Sequence, residues 1–458
     1  MGENINKKDL LNEIKALVES DKIIELNEYM QELHPRDIAE ILIELEDLKK
    51  TKVFEVLSWD LAGKVLDELD FETFSYIFEK INIEQKKRLL DLMSQDDMVD
   101  LLSEMKEKEQ LEIINLLDED DKEDIRELLV YEEDTAGGIM TTDFVSVKDN
   151  ISAYQAIEEL RENAPEAETI YYVYVLDKND KLVGVLSLRE LIVSKPNVLI
   201  EDIMSESLIK ASVSDDQEEV ARKVSKYDLL AIPVVDSQER LRGIITVDDI
   251  IDVIEEEATE DIYKFAGTSE SETEYLEEDD VFLRIKSSVK ARLPWLIVTL
   301  FGGLLSANIL RNYEGTLAQL PTIAFFMPML TGMGGNVGTQ SSTLTVRGFA
   351  TGHVDSKNTV KTIFQEMSVG ATVGIICSLI ICLVSFLWLK DFKLGAVVGV
   401  AMAANMFTAA SVGTIVPIIF KKFGIDPAVA SAPFISTALD ITGVTIYFTL
   451  TTLFLINV

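Results

Sequence analysis

The residues of this chain that could do chemistry are carboxylates, and one of them is isolated. Asp440 lies in the middle of an apolar segment, within the stretch STALDITG, and no apolar segment supplies a basic partner for it. An ionisable group at membrane depth is costly, so it usually faces water, a partner or an ion pathway. We therefore interpret Asp440 as a carboxylate that meets a cation. A polar group hydrogen-bonded between packed helices is the ordinary structural alternative.

A second apolar segment carries polar groups of a kind that could line the same pathway. The stretch MPMLTGMGGNVGTQSSTLTV contains Gly335 and Asn336 among further glycines, hydroxyls and amides. Glycines allow close backbone approach, and amides and hydroxyls can face a wet cavity. Ordinary packing of small residues between helices would give the same pattern.

Other carboxylates are crowded together just before the apolar part of the chain. Eight of them lie within residues 248–261: Asp248, Asp249, Asp252, Glu255, Glu256, Glu257, Glu260 and Asp261. Like charges three or four residues apart on a helix repel one another, and divalent cations would relieve that repulsion. The chain has only 2 His and 2 Cys. A site for Zn or Fe is therefore not expected, whereas hard cations on oxygen ligands remain open.

The charge is divided between the two parts of the chain. Residues 1–280 carry 74 acidic and 30 basic side chains, and residues 281–458 carry 6 and 12. A polyanionic part is thus joined to an apolar part with few charges. The acidic surface repels phosphate backbones, which argues against nucleic-acid binding.

Five apolar segments in the second part are long enough to cross a bilayer. They cover about 293–313, 322–346, 360–389, 393–420 and 429–456. With the N-terminus in the cytosol, the inside flanks carry nine basic residues and the outside flanks three, as the positive-inside rule requires. The first residues lack the apolar core of a signal peptide. We expect a multi-pass protein of the plasma (inner) membrane with cytosolic N-terminal domains and an outside C-terminus.

An internal repeat of twelve residues runs from about 37 to 130. Apolar pairs such as Ile41/Leu42, Val53/Phe54 and Val65/Leu66 recur, each with a third apolar residue three positions later. This spacing marks one face of a short helix, and the repeat predicts a stack of helices and turns, an α-helical solenoid.

A second repeat occupies about 139–257. Ile139-Met140 recurs as Ile203-Met204, and LVGVLSLRE at 182–190 matches LRGIITVDD at 241–249. Each copy has the order β-α-β-β-α, which resembles a CBS domain, so the pair resembles a tandem CBS (Bateman) module. Residues 187–190 and 246–249 match the hydroxyl-x-x-Asp element of that family, which in many members holds the ribose of an adenine nucleotide, although Glu190 replaces the Asp in the first copy. The resemblance implies tentative nucleotide contacts at Tyr172, Arg189, Thr246 and Asp249.

These observations predict a multidomain fold class. We expect an acidic helical-repeat N domain at 1–135 and an α+β tandem CBS module at 136–262, with its copies at about 139–200 and 203–257. A connecting plug helix at 263–292 would follow, and then a polytopic α-helical membrane domain with five transmembrane helices at 293–458.

With its parts in this order, the whole chain resembles the MgtE family of bacterial magnesium channels. The stretches EDTAGGIMT (133–141), TVDDIIDVIEEEATEDI (246–262), GGNVGTQS (334–341) and GIDPAVASAPFISTALDITG (424–443) carry the resemblance. It implies no enzyme activity. It implies a homodimer that imports Mg²⁺, closes when cytosolic Mg²⁺ bridges the acidic N, CBS and plug surfaces, and opens when Mg²⁺ falls.

The resemblance also assigns residues to these roles. The implied pore residues are Asp440, Asn336, Asp426, Ser436 and Gly335. The implied Mg²⁺-sensing residues are Asp96, Asp100, Asp216, Glu218, Asp228, Asp249, Asp252, Glu257, Glu260 and Asp261. Mg²⁺ and, at the CBS module, ATP are the expected ligands. Family members often carry Asn where this chain has Thr339 and Ala432, so ion selectivity is open.

Three other functions are compatible with parts of the pattern. The same architecture could carry Co²⁺, Ni²⁺, Mn²⁺ or Ca²⁺, although no His, Cys or Met cluster marks a softer site. A Mg²⁺ or nucleotide sensor that conducts nothing would leave Asp440 unexplained. An intramembrane aspartyl protease needs two facing carboxylates, and Glu366 is the one weak candidate for the second.

Overall fold

The computed structural model describes residues 7–20, 22–163, 169–269, 281–354 and 358–456. The chain forms two compact units, Met1–Val253 and Ile254–Val458. The boundary between them falls inside one helix, Val247–Ala266.

The first unit begins with ten short helices. They are α1 (Lys7–Glu19), α2 (Ile23–Met30), α3 (Pro35–Ile43), α4 (Asp47–Phe54), α5 (Trp59–Leu66), α6 (Phe71–Lys80), α7 (Ile83–Leu90), α8 (Gln95–Ser103), α9 (Glu107–Ile114) and α10 (Glu119–Leu128). From α3 onwards each helix starts twelve residues after the one before. The twelve-residue repeat predicted from the sequence is therefore confirmed by the spacing of the helices.

The apolar pair of each repeat forms the core of this stack. Ile41, Leu42, Val65 and Leu66 are each at most 2% exposed. At three of the turns a side chain, that of His34, Asp70 or Asn82, caps the first backbone N–H groups of the following helix and so helps to fix where that helix begins. Asp70, for example, accepts a hydrogen bond from the backbone N–H of Thr73 at 2.7 Å. The solenoid is thus built from helices that are stable only when stacked.

The tandem CBS module follows the solenoid within the first unit. The first copy contains β1 (Phe144–Lys148), α11 (Ala153–Asn163), β2 (Thr169–Leu176), β3 (Leu182–Ser187) and α12 (Leu188–Val193). The second contains β4 (Ala211–Ser212), α13 (Gln217–Tyr227), β5 (Ala231–Val235), β6 (Leu241–Thr246) and the start of α14 (Val247–Ala266). In each three-stranded sheet the first pair of strands is parallel and the second antiparallel. The predicted β-α-β-β-α order is present in both copies.

The connection to the membrane helices differs from the predicted helix at 263–292. Helix α14 ends at Ala266, and the next helix in the described residues, α15, runs from Val281 to Arg311. Residues 270–280 of the predicted helix lie outside the residues that the structure describes. Residues 281–292 therefore belong to the first long apolar helix. The N–H of Thr268 bonds the carbonyl of Tyr263, and the N–H of Gly267 bonds that of Lys264. This Schellman arrangement, with Gly267 at a φ of +76°, ends α14.

The second unit is a bundle of long helices. After α15 come α16 (Glu314–Gln319), α17 (Met327–Ala350), α18 (Thr359–Leu389), α19 (Phe392–Lys422) and α20 (Ala432–Thr451), which continues as one π-type turn to Ile456. Within the described ranges, four helical stretches are long and apolar enough to cross a membrane: Ile285–Arg311, Thr359–Leu389, Phe392–Lys422 and Ala432–Ile456.

The second predicted span, 322–346, corresponds to a short 3₁₀ helix (Pro321–Phe326) and α17. Helix α17 has 24 residues but falls short of the apolarity of the other four. Its polar and glycine positions, such as Gly334, Ser341 and Ser342, are buried against neighbouring helices. The expectation of five spans stays a prediction.

Candidate functional site

Asp440 lies in the middle of α20 and is partly exposed. Among the residues that the structure describes, its carboxylate has no hydrogen-bond or ion-pair partner. The described residues do not enclose its oxygens. This is the arrangement expected of a carboxylate that meets water or a hydrated cation rather than a structural hydrogen bond.

Helix α17 comes close to α20 one turn before Asp440. A Cβ added to Gly335 would lie 3.6 Å from the Cβ of Ser436, with no other heavy atom nearer. Ser436 precedes Asp440 by four residues and therefore shares its helix face. Asn336, next to Gly335, is exposed. The structure thus brings Gly335 and Ser436 together, and places Asn336 and Asp440 on the two helices that meet there.

Asn405 of α19 holds the helices around this region together. Its amide nitrogen donates to the carbonyl of Leu330 at 2.7 Å, and the side chain is 1% exposed. Cβ atoms added to Gly334 and Gly443 would lie 2.5 Å and 2.9 Å from it. Glycine at both positions therefore makes room for this amide.

Glu366, the weak candidate for a second intramembrane carboxylate, is engaged elsewhere. It accepts a hydrogen bond from the hydroxyl of Ser341 at 2.8 Å. That contact joins α18 to α17. Asp440 has no such contact in the described parts of the chain. These contacts do not indicate the pair of facing carboxylates that an intramembrane aspartyl protease needs.

In the first unit, carboxylates from the solenoid and the CBS module lie within electrostatic reach of one another. Burial raises the pKa of Asp96, and the charge of Asp97 raises it further. Burial also raises the pKa of Asp249, with the charge of Asp96 adding to the effect. The pKa of Asp97 rises to about 6, mainly because of burial, with Asp248 and Asp249 contributing. These carboxylates therefore carry an electrostatic cost when ionised.

One oxygen of this cluster has no partner. Oδ1 of Asp96 is enclosed and accepts no hydrogen bond within the described residues. An enclosed carboxylate oxygen beside a second carboxylate is chemically suited to a hard cation. The cluster thus fits a divalent ion held by two carboxylates and by water, and Asp96 and Asp249 would be its ligands. Asp97 instead accepts a hydrogen bond from the hydroxyl of Ser94.

The other sensing residues implied for the first unit are more dispersed. Asp216 is exposed and caps α13 by accepting from the backbone N–H of Glu218 at 3.0 Å. The Glu218 carboxylate pairs with Arg222 at 3.3 Å. Asp228 is exposed in the left-handed conformation that ends α13. Asp100 borders a cavity of about 210 Å³ that Glu133 also lines. Of these four residues, Asp216 and Glu218 lie together in the first turn of α13.

The remaining implied sensing residues lie along α14. Asp252 is exposed, and Glu257 and Asp261 are partly buried. Glu260 pairs with Lys264 at 2.5 Å.

Lys264 also contacts Asp426, at 2.9 Å from its Oδ2, so one ammonium joins both carboxylates. Burial lowers the pKa of Lys264, but the hydrogen bonds with Glu260 and Asp426 outweigh it and raise that pKa. Asp426 also caps the short helix Pro427–Val429. Asp426, which the resemblance assigns to the pore, therefore forms an ion pair with Lys264.

The implied nucleotide residues lie on the two CBS copies. Tyr172 is on β2, paired in register with Ser187, and Arg189 is exposed on α12. The hydroxyl of Thr246 donates to Asp249 at 2.5 Å, which starts α14. Ser187 and Glu190 form the matching capping box of the first copy.

No group of three or more His, Cys, Asp or Glu side chains with the arrangement of a metal site occurs in the described part of the chain. This does not conflict with Mg²⁺, which keeps several waters and is usually held by one or two carboxylates. Sequence reasoning missed Asp97 and Lys264. The signal for Lys264 was present, because it is the one basic residue in the acidic helix α14.

Family models match the chain over most of its length. Residues 327–450 match the divalent cation transporter model MgtE, residues 33–134 match the MgtE intracellular N domain, and 136–195 and 200–256 match the CBS domain. The magnesium transporter MgtE of Bacillus subtilis is 36% identical over 99% of both chains. That of Enterococcus faecalis is 43% identical over 72% of both chains.

A solved structure agrees with these matches. The cytosolic domain of the Mg²⁺ channel MgtE, in complex with ATP, is 37% identical with a TM-score of 0.50 and covers 52% of this chain and 97% of that one. The layout of N domain, CBS module and helical membrane region is thereby confirmed. The family transports Mg²⁺ across a membrane and does not consist of enzymes. This chain belongs to the MgtE family of magnesium transporters.

Proposed function

We propose that this transporter is a homodimeric channel of the plasma membrane that imports Mg²⁺ and is closed by cytosolic Mg²⁺. The observation that carries the ion pathway is the partly exposed Asp440 carboxylate, which has no partner in the described residues. A hydrated Mg²⁺ is typically held by one or two carboxylates, and two copies of the chain would supply two. Asn336, Ser436 and Gly335 would border the pathway.

Closure by cytosolic Mg²⁺ follows from the charges of the first unit. Asp96, Asp97 and Asp249 carry a cost when ionised, and a divalent cation would offset it. A ligand shifts an equilibrium only if it binds one state more tightly. Mg²⁺ would therefore favour the closed arrangement, and its removal would favour the open one. Asp100, Asp216, Glu218, Asp228, Asp252, Glu257 and Asp261 would contribute weaker contacts.

The test is Mg²⁺ flux into liposomes that contain the full chain, with the two sides of the membrane set separately. Asp440→Asn keeps the size of the side chain and removes its charge, so flux should fall at least about tenfold. Glu314→Gln is the matched control, because Glu314 is exposed on the short helix α16. Normal flux in Asp440→Asn would contradict the assigned role.

The orientation and dimer state have their own tests. The nine basic residues of the inside flanks predict cytosolic N-terminal domains. Closure should then require Mg²⁺ on the side of those domains, and Mg²⁺ on the other side should leave flux unchanged. The mass of the detergent-solubilised protein, measured by light scattering, should be twice the 51.2 kDa of one chain.

ATP is the proposed second ligand of the CBS module. The solved relative carries ATP in its cytosolic domain, and Thr246 and Asp249 stand at the corresponding motif. Tyr172 and Arg189 would complete the contacts from the first copy. Arg189→Ala should weaken ATP binding measured by calorimetry, whereas Arg161→Ala, at an exposed arginine of α11, should not.

A further inference from the structure

Within the second unit, one basic side chain joins the C-terminal end of α14 to the loop before α20. Nζ of Lys264 lies 2.5 Å from Oε1 of Glu260 and 2.9 Å from Oδ2 of Asp426. Asp426 is 162 residues away in sequence and lies in the loop before α20. The three side chains are about one third exposed. The ammonium therefore bridges two elements that the chain does not connect locally.

Close packing beside this ion pair fixes the position of α14. A Cβ on Gly267 would lie 2.8 Å from Cγ of Pro433 and 3.3 Å from Cγ of Trp295. Pro433 stands in the first turn of α20, the helix that carries Asp440. Gly267 thus permits both the left-handed turn that ends α14 and its close approach to α20. The end of α14 is docked at the start of the pore helix.

The resemblance to the MgtE family assigns both carboxylates that Lys264 bridges to roles with cations: Glu260 to Mg²⁺ sensing and Asp426 to the pore. The ammonium group stands in for such a cation, with its positive charge between two carboxylate oxygens. A Mg²⁺ ion and the ammonium cannot both occupy this position. The two carboxylates therefore bind a cation, and in this structure that cation is the ammonium group of Lys264.

We propose that Lys264 is a tethered competitor of regulatory Mg²⁺: it docks α14 against the loop at Asp426 and sets the Mg²⁺ concentration at which closure occurs. The inference rests on the proposed closure by cytosolic Mg²⁺. Without Mg²⁺, the ion pair holds a fraction of the molecules in the docked state. When Mg²⁺ rises, it must displace the ammonium from Glu260 and Asp426, which raises the concentration required.

The expected size of the effect follows from the exposure of the ion pair. Partly exposed pairs contribute up to about 1 kcal/mol, which corresponds to a factor of about two to five in an equilibrium constant. Lys264→Met should therefore lower the docked-to-undocked ratio without Mg²⁺ by about two- to fivefold. It should also lower the Mg²⁺ midpoint of docking, by at most the same factor, because the carboxylates are released.

Trp295 supplies a readout that does not depend on flux. The chain has 3 Trp, and the variant W59F/W388F leaves Trp295 alone beside Gly267. Its emission spectrum in the detergent-solubilised full chain should report whether α14 is docked. Titrating MgCl₂ then gives both the signal without Mg²⁺ and the midpoint. Because no transport is measured, failure of the proposed channel function would leave this test valid.

Three further variants separate the ion pair from a general effect of charge. Lys264→Arg should behave as wild type at zero Mg²⁺. The charge-reversed pair Lys264→Asp with Asp426→Lys should restore docking without Mg²⁺. Glu255→Gln, at an exposed position of the same helix, should change neither readout.

The proposal would be overturned by two results. One is an unchanged Trp295 signal and an unchanged Mg²⁺ midpoint in Lys264→Met. The other is a charge-reversed pair that stays as undocked as Lys264→Met alone, since that would show that the lysine acts through packing. A lower midpoint together with restored docking in the reversed pair supports it.

Discussion

Asp97 tests whether the clustered carboxylates of the first unit are held at an electrostatic cost when no divalent cation is present. Burial raises its pKa from 3.8 to about 6, and a shift of about 2 units corresponds to about 3 kcal/mol. The hydrogen bond from the hydroxyl of Ser94 would weaken in an amide variant, which costs about 1 kcal/mol. Asp97→Asn should therefore raise the free energy of unfolding without Mg²⁺ by about 2 kcal/mol at about pH 7.5.

The pH dependence fixes the sign of this effect. A carboxyl group whose pKa is raised in the folded state contributes stability below its unfolded pKa, and that contribution is lost as the pH rises through the folded pKa. For Asp97 the window runs from 3.8 to about 6. The advantage of Asp97→Asn should thus be present at about pH 7.5 and should disappear at about pH 4.

Thermal unfolding of the full chain in detergent measures the difference. For a unit of about 250 residues, 2 kcal/mol corresponds to a rise in Tm of about 4 to 8 °C. Mg²⁺ should stabilise the wild type more than the variant, because less repulsion remains to be relieved. Asp91→Asn, at an exposed carboxylate after α7, is the control and should change Tm little. A lower Tm for Asp97→Asn at about pH 7.5 would refute the reasoning.

Three other predictions concern helix packing in the membrane unit, the contact between the solenoid and the CBS module, and Mg²⁺ binding. Gly413→Ala should abolish folding of the membrane unit, judged by recovery as a single species, because its Cβ would lie 2.2 Å from a backbone oxygen of α17. Gly332→Ala, with no atom within 4 Å, should fold normally. Arg242→Ala should lower Tm by about 2 to 4 °C, since Arg242 bonds Glu127 of the solenoid at 2.9 Å, and salt should reduce the difference. Asp249→Asn should weaken Mg²⁺ binding measured by calorimetry, and the loss should shrink as the pH falls below about 6, where protons already compete with the ion in the wild type.

The solenoid and the CBS module could be predicted almost to the residue. In both regions a sequence pattern repeats, so the secondary structure predicted for one copy can be compared with that predicted for the others. The apolar pair of one repeat, such as Val53/Phe54, is ambiguous alone, but seven such pairs at a fixed interval are not. Burial of Val53 at 0% and Phe54 at 5% follows from the helix face that the spacing defines.

The region between the CBS module and the membrane helices was predicted less well. The acidic run and the basic run after it suggested one connecting helix at 263–292, whereas α14 ends at Ala266 and α15 starts at Val281. Gly267 was the local signal for that end. Its close contact with Pro433 could not be read from the sequence, because it depends on a residue far along the chain.

Residue type alone does not distinguish the two carboxylates, Asp440 and Glu366, that lie within the long apolar helices. Asp440 and Glu366 are both carboxylates within long apolar helices, and the sequence ranked Asp440 higher because it lies deeper in its segment. The structure separates them on a different ground: Glu366 accepts a hydrogen bond from Ser341, and Asp440 has no partner among the described residues. A paired carboxylate can be explained by helix packing alone. Asp440 makes no such contact among the described residues, and we therefore propose that it meets the transported ion.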